Sequence, residues 1–135
     1  MKPEPTRKQV VGILGEEIAA KFLISKGFEV VDRNYRKKFG EIDIVVKREG
    51  VIYFVEVKTV SRENLRGLPE KIKDDFRPED NVHASKLKRL SRAIQVYLAE
   101  HKFGEETCWQ FDVVTVLLDV KNKIARVKVL EDIIL

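Results

Sequence analysis

One cysteine, Cys108, stands in the 135 residues. An intrachain disulfide and a cysteine-based zinc site are therefore excluded, and the thiol is expected to pack as a small hydrophobe rather than act as a nucleophile. The two histidines, His83 and His101, are isolated along the chain; both are expected to face solvent, with no imidazole cluster to hold a metal. No apolar run approaches the roughly 20 residues of a membrane span. The opening MKPEPTRKQVVG carries charge but lacks the apolar core and small-residue cleavage site of a signal peptide, so a cytoplasmic protein with no membrane partner is expected. A glycine-rich phosphate loop and a nucleophile elbow are also missing, which leaves an unrelated ligand-binding α/β domain without support. Internal repeats and low-complexity tracts are absent as well.

Charge, by contrast, is plentiful. Charged residues make up 36% of the chain and leave a net charge of +4, a balance that permits nucleic acid as a partner without demanding it. The length suits one domain over residues 1–135, able to bury roughly two-thirds of its unfolded-chain surface.

Val11, Leu14, Ile18, Phe22 and Leu23 recur at three- and four-residue spacing. They predict an amphipathic helix from about Arg7 to Lys26, ended by Gly27. FEVVD, Phe28 to Asp32, reads as a short strand, and Arg33 to Phe39 as a polar segment after it. Gly40 to Thr59 follows as GEIDIVVKREGVIYFVEVKT, two strand-like runs around a turn. Ser61 to Asp80 is irregular and charged, and a loop of that length is expected to be flexible or functional. Asn81 or Ser85 is a candidate cap for a second helix reaching about His101, with Leu87, Leu90, Ile94, Tyr97 and Leu98 as its core stripe. Trp109 to Leu118 and Lys123 to Leu130 read as two more strands, and the tail from Glu131 as a helical turn or strand end. Helix, three strands, helix, two strands is a mixed α/β order with helices packed on a sheet.

The hairpin holds three charged residues, Asp43, Glu56 and Lys58, among β-branched and aromatic neighbours. Burying ionised groups costs several kcal/mol unless they are paired or bind a metal. With Glu49-Gly50 as a two-residue turn, Arg48 faces Val51, Asp43 faces Glu56 and Glu41 faces Lys58. Alternation then gives Ile42, Ile44 and Val46 the opposite face, shared with Tyr53, Val55 and Val57. Asp43 and Glu56, so paired, repel each other, and a divalent cation between them turns that repulsion into binding. The alternative is purely structural, with Glu41 paired to Lys58 and Asp43 to a distant cation. Lys86, Lys88, Arg89 and Arg92 crowd the first half of the second helix, where the macrodipole disfavours cations. They form either a solvated face or a phosphate-contacting one.

Asp43, a hairpin, then Glu56-Val57-Lys58 resembles the D…(D/E)-x-K signature of the PD-(D/E)xK nucleases. The wider wording is similar to the YraN family: Gly15-Glu16 with Ala19-Ala20 and Leu23, Arg33-Asn34, GEID from Gly40, FVEVKT from Phe54 and FDVV from Phe111. That family of small bacterial proteins is related to archaeal-type Holliday-junction resolvases. The resemblance implies a restriction-endonuclease-like core, α-β-β-β-α-β(-β), with a mixed sheet flanked by helices. It implies a Mg²⁺ (or Mn²⁺) ion held by Asp43, Glu56 and the Val57 carbonyl, with Glu16 as a further ligand or water-positioning group. For Glu16, a plain solvated helix charge is the alternative. Lys58 is implied to orient or deprotonate the attacking water and stabilise phosphorane charge. Ile42 stands where the superfamily's proline would be, and Val60-Ser61-Arg62 where the family more often has Arg directly after Thr.

The expected activity is metal-dependent endonucleolytic cleavage of nucleic acid, DNA first, with branched DNA among its substrates. Arg36, Lys37 and Lys38, together with Lys86, Lys88, Arg89 and Arg92, are the candidates for binding flanking phosphates. Tyr35 and Phe39 lie among them, with packing favoured over nucleotide contact. Resolvases act on two-fold symmetric junctions, so the resemblance adds a homodimer. The alternative function is a catalytically inactive nucleic-acid-binding or protein-interaction module on the same fold.

Overall fold

The computed structural model describes residues 3–61 and 84–135. The expected loop from Ser61 to Asp80, apart from Ser61 itself, lies outside the described residues, as do His83 and the cap proposed at Asn81.

Helix α1 spans Arg7–Ser25. Thr6 Oγ1 accepts from the Gln9 N–H at 3.1 Å while Gln9 Oε1 accepts from the Thr6 N–H at 2.8 Å, a reciprocal cap that starts the helix. Gly27, at φ 91°, ends it. Its left-handed backbone lets the N–H of Phe28 reach the Leu23 carbonyl and its own N–H reach Ile24. The buried face of α1 is mostly small, with Gly15, Ala19, Ala20 and Leu23, so the helix axis lies close to the sheet.

Five strands form one sheet in the order β1-β2-β3-β4-β5. They are β1 (Glu29–Lys37), β2 (Gly40–Arg48), β3 (Val51–Ser61), β4 (Trp109–Asp119) and β5 (Ile124–Leu130). Neighbours are antiparallel except β3 and β4, which run parallel. The parallel step needs a long crossover, and α2 (Ala84–Glu100) lies on it. Ser85 therefore sits inside α2 rather than capping it. The expected mixed α/β order is present.

Strand β1 continues through the polar Arg33–Lys37 segment, which the sequence reading leaves outside any strand. As an edge strand it is paired to β2 alone, so Asn34, Arg36 and Lys37 stay exposed while Arg33 is half-buried. The tail from Glu131 is neither helix nor strand; Asp112 Oδ1 accepts from the Asp132 N–H at 2.9 Å and the Phe111 carbonyl from the Ile133 N–H at 2.8 Å. Cys108 is exposed rather than packed, because it falls just ahead of β4. His101 is exposed, as expected, with its ring stacked on Tyr97 at 3.9 Å.

Each face of the sheet carries one helix and one apolar cluster. Leu90, Ala93, Ile94 and Tyr97 of α2 pack with Val45, Phe54, Phe111 and Val113. Ala19, Ala20 and Leu23 of α1 pack with Ile44, Val46, Val55, Val114 and Val116. Residues 111–119 of β4 are buried throughout, as befits a strand covered on both faces.

Strict alternation fails at the bulge between Val30 and Asp32 of β1 and again further along β2. Ile42 packs on the α2 side and Ile44 on the α1 side, although two residues apart they were expected to share a face. Asp43 is the residue between them. Across on β1, Asn34 has φ 54° between the pairs Arg33–Ile44 and Tyr35–Ile42. Arg33 reaches Glu17 of α1 at 2.7 Å, while Tyr35 packs with the α2 cluster. Both strands turn over at this level, with asparagine tolerating the left-handed backbone that does it.

Candidate functional site

The turn at Glu49-Gly50 is as expected, with φ 51° and 79° and Arg48 opposite Val51. The pairing then runs outward through Val45–Phe54 and stops at Ile44–Val55. Beyond that point β2 stays with β1, down to Gly40 opposite Lys37, and β3 stays with β4, out to Ser61 opposite Leu118. The two strands part as a fork. Asp43 and Glu56 are the first residues past the last pair, one on each prong.

Strands that part leave backbone groups without ladder partners. Asp43 supplies one: its Oδ2 accepts from the Val57 N–H at 2.8 Å. In an extended strand the N–H and C=O of one residue point the same way, so the Val57 carbonyl also faces the fork. Glu41 does not face Lys58. The ladder ends before reaching them, and Glu41 is instead opposite Arg36 on β1. Fixing Lys58 through Glu41 is therefore ruled out.

Glu56 is only 9% exposed and its carboxyl lies against that of Asp43. Burial, then the Asp43 charge, pushes Glu56 up to about 7. Burial also raises Asp43, against the Val57 N–H, which favours its charged form. Lys86, on the first turn of α2, brings Nζ to 2.5 Å from Glu56 Oε1. Glu16 is raised by burial and next by the Asp43 charge, so it shares this electrostatic neighbourhood. Among the described residues no three carboxylate, imidazole or thiolate groups converge on one point; Asp43 and Glu56 form a pair, with Glu16 outside it.

Two clefts meet at Glu56 and Lys86. One, on the α2 side, is lined by Asp43, Lys37, Lys38 and Arg89 along with those two. The other, beside α1, is lined by Glu16, Lys58, Val57, Arg7 and Lys8 along with those two. Two glycines set the walls. A Cβ on Gly15 would fall 1.8 Å from Thr59 Oγ1, and one on Gly40 would fall 2.6 Å from the Arg89 carbonyl oxygen. Only glycine lets α1 sit on the outer half of β3 and α2 on the start of β2.

Asp43, Glu56, Val57, Lys58 and Glu16 are thus brought together, and Lys37, Lys38, Lys86 and Arg89 join them. Lys88 lies outside both clefts. Arg92 is placed over the Phe39 ring at 5.6 Å, and Arg36 is exposed on the edge strand. Phe39 and Tyr35 are partly buried against the α2-side core. Arg7 and Lys8 have no counterpart among the sequence candidates. The Thr6–Gln9 cap signal places them at the helix start, but nothing local says that this start lies beside Lys58.

Residues 15–116 match the Uncharacterised protein family UPF0102. The chain is similar to a UPF0102 protein of Caldicellulosiruptor bescii, 34% identical over 123 residues, which cover 90% of this chain and 94% of that one. A UPF0102 protein of Campylobacter fetus is 32% identical over 110 residues, or 82% and 86% of the two chains. One of Dictyoglomus turgidum is 33% identical over 114 residues, or 84% and 87%. With the family's match running from the glycine that seats α1 to the middle of β4, the chain belongs to the Uncharacterised protein family UPF0102, the YraN family.

Proposed function

We propose that the fork is a metal-dependent phosphodiesterase site and the protein a Mg²⁺- or Mn²⁺-dependent endonuclease, with DNA as its first substrate. The observation that carries this reading is the Asp43–Glu56 pair, two carboxyl groups held together and partly desolvated where β2 and β3 part. Asp43 serves the sheet by accepting from the Val57 N–H, but that bond does not require a second carboxylate beside it, and the repulsion between the two opposes folding.

The donor set fits a hard cation. Mg²⁺ takes one or two carboxylates, keeps several waters and accepts substrate phosphate oxygens, and Asp43, Glu56 and the Val57 carbonyl offer that many protein oxygens. A cation bound there lowers the pKa of a coordinated water and polarises the phosphoryl group. Lys58, beside Glu56 in the α1-side cleft, donates to the attacking water or to the phosphoryl oxygens and adds positive charge where negative charge develops. Glu16 accepts from a water in that same cleft and orients it. Lys37, Lys38 and Arg89 on one side, with Arg7 and Lys8 on the other, hold flanking phosphates without reading sequence.

The test is a panel of linear, single-stranded, flapped and four-way DNA, with RNA, incubated with and without Mn²⁺. Cleavage should require the metal and disappear in Asp43→Asn and Lys58→Ala. Cleavage that survives both substitutions refutes the roles given to these residues. A second reading, a binding module without turnover, draws on the pair lacking a third carboxylate among the described residues. Calorimetry that detects no Mn²⁺ binding, beside salt-sensitive DNA binding, would select it.

A further inference from the structure

Lys86 is the one cation in direct ion pairing with the carboxylates of the fork among the described residues, at 2.5 Å from Glu56 Oε1. Helix stability does not explain its position. The first turn of α2 has no acidic residue, and a lysine there opposes the macrodipole. Nor is the lysine locked in place, since its side chain is 47% exposed while that of Glu56 is 11% exposed. A long, half-solvated ammonium stem thus reaches over a buried carboxylate and can swing back into water at small cost.

We propose that Lys86 is the protein's own counter-cation for the Asp43–Glu56 pair, competing with a divalent metal for Glu56 and freed by metal binding to contact a backbone phosphate. The proposal rests on the metal-site reading above and adds a residue to it. One ammonium and one divalent cation cannot both sit against Glu56 Oε1 without strong repulsion, so their occupancies are linked and each weakens the other. In the metal-free protein Lys86 offsets part of the like-charge repulsion at the fork. Once displaced, it remains in the wall shared by both clefts, where a phosphate held near the metal is within a lysine's reach.

Calorimetric titration of Mn²⁺ into full-length wild type, Lys86→Gln, Lys86→Arg and Lys88→Gln at pH 8 tests this. Lys88 is exposed on the same helix, outside both clefts, and controls for the loss of one charge. Lys86→Gln should bind Mn²⁺ about five- to tenfold more tightly than wild type, within the usual range of linked-site coupling, with Lys88→Gln and Lys86→Arg near wild type. In EDTA, Lys86→Gln should melt below wild type, and saturating Mn²⁺ should close that gap. A merely structural lesion loosens a metal site, so tighter binding separates competition from damage. Equal or weaker Mn²⁺ binding by Lys86→Gln overturns the proposal while leaving the metal site standing. Absence of Mn²⁺ binding in every folded protein overturns both.

Discussion

The Asp43–Glu56 pair makes the metal-free protein's stability depend on pH in a direction opposite to that of an ordinary salt-bridged carboxylate. Glu56 rises from its usual 4.5 to about 7 on folding, through burial first and the Asp43 charge second. Between those values the folded chain holds a proton that the unfolded chain has lost, so stability falls as pH rises through the window. It is fully present below about 4.5 and lost by the time pH passes about 7. The gap corresponds to roughly 3 kcal/mol, a large share of a typical domain's 5–15 kcal/mol. Glu56→Gln keeps the shape and removes the titration, and the opposing pull of Lys86 is already contained in the value of about 7. Urea unfolding in EDTA at several values between pH 4.5 and pH 8.5 should show the variant's stability advantage growing by roughly 3 kcal/mol across that range. At pH 8, adding Mn²⁺ should stabilise wild type by about 2.7 kcal/mol at 100 times its Kd and leave the variant unchanged. A gap between the two proteins that stays flat with pH, or that shrinks as pH rises, refutes the argument that the pair is strained when ionised.

Other outcomes follow from the same geometry. Gly15→Ala puts a methyl 1.8 Å from Thr59 Oγ1 and should cost about 1–3 kcal/mol as α1 shifts off β3; the urea midpoint reads the loss, and Thr59→Gly should recover part of it. Gly40→Ala meets backbone, the Arg89 carbonyl at 2.6 Å, so α2 must move and Mn²⁺ affinity should fall along with stability. Asp43→Asn retains an amide oxygen to accept from Val57, so the melting temperature should hold or rise while calorimetric Mn²⁺ binding is lost. Lys38→Ala should weaken DNA binding on all sequences alike and reduce the log–log salt slope by about 1.

Most of the fold is legible locally. The spacing of Val11 to Leu23 marks α1 as a helix, although Leu14 stays exposed and Gly15, Ala19 and Ala20 join Leu23 on the buried face. The Glu49-Gly50 turn sets the hairpin register as far as Ile44–Val55. On α2, Leu90, Ile94, Tyr97 and Leu98 pack as the periodicity requires, with Ala93 added by close approach, while Leu87 is only half-buried and outside that cluster. Where the reading fails, the cause lies on another segment. Strand β1 runs on through Arg33–Lys37 because β2 supplies its partner. Ile42 changes face because Asn34, on the neighbouring strand, takes a left-handed backbone where both strands turn over.

By itself, the sequence singles out Asp43, Glu56 and Lys58, because ionised groups among β-branched neighbours need a reason. It also determines that Asp43 and Glu56 meet, since the two-residue turn counts both strands from one origin. Only the tertiary structure decides that they meet at a fork rather than in a continuing ladder, because β2 and β3 are drawn apart by different partners, β1 and β4. The same parting separates Glu41 from Lys58, and the approach of α2 through Gly40 puts Lys86 on Glu56. Those relations join residues tens of positions apart, through helix–sheet packing that no local pattern encodes.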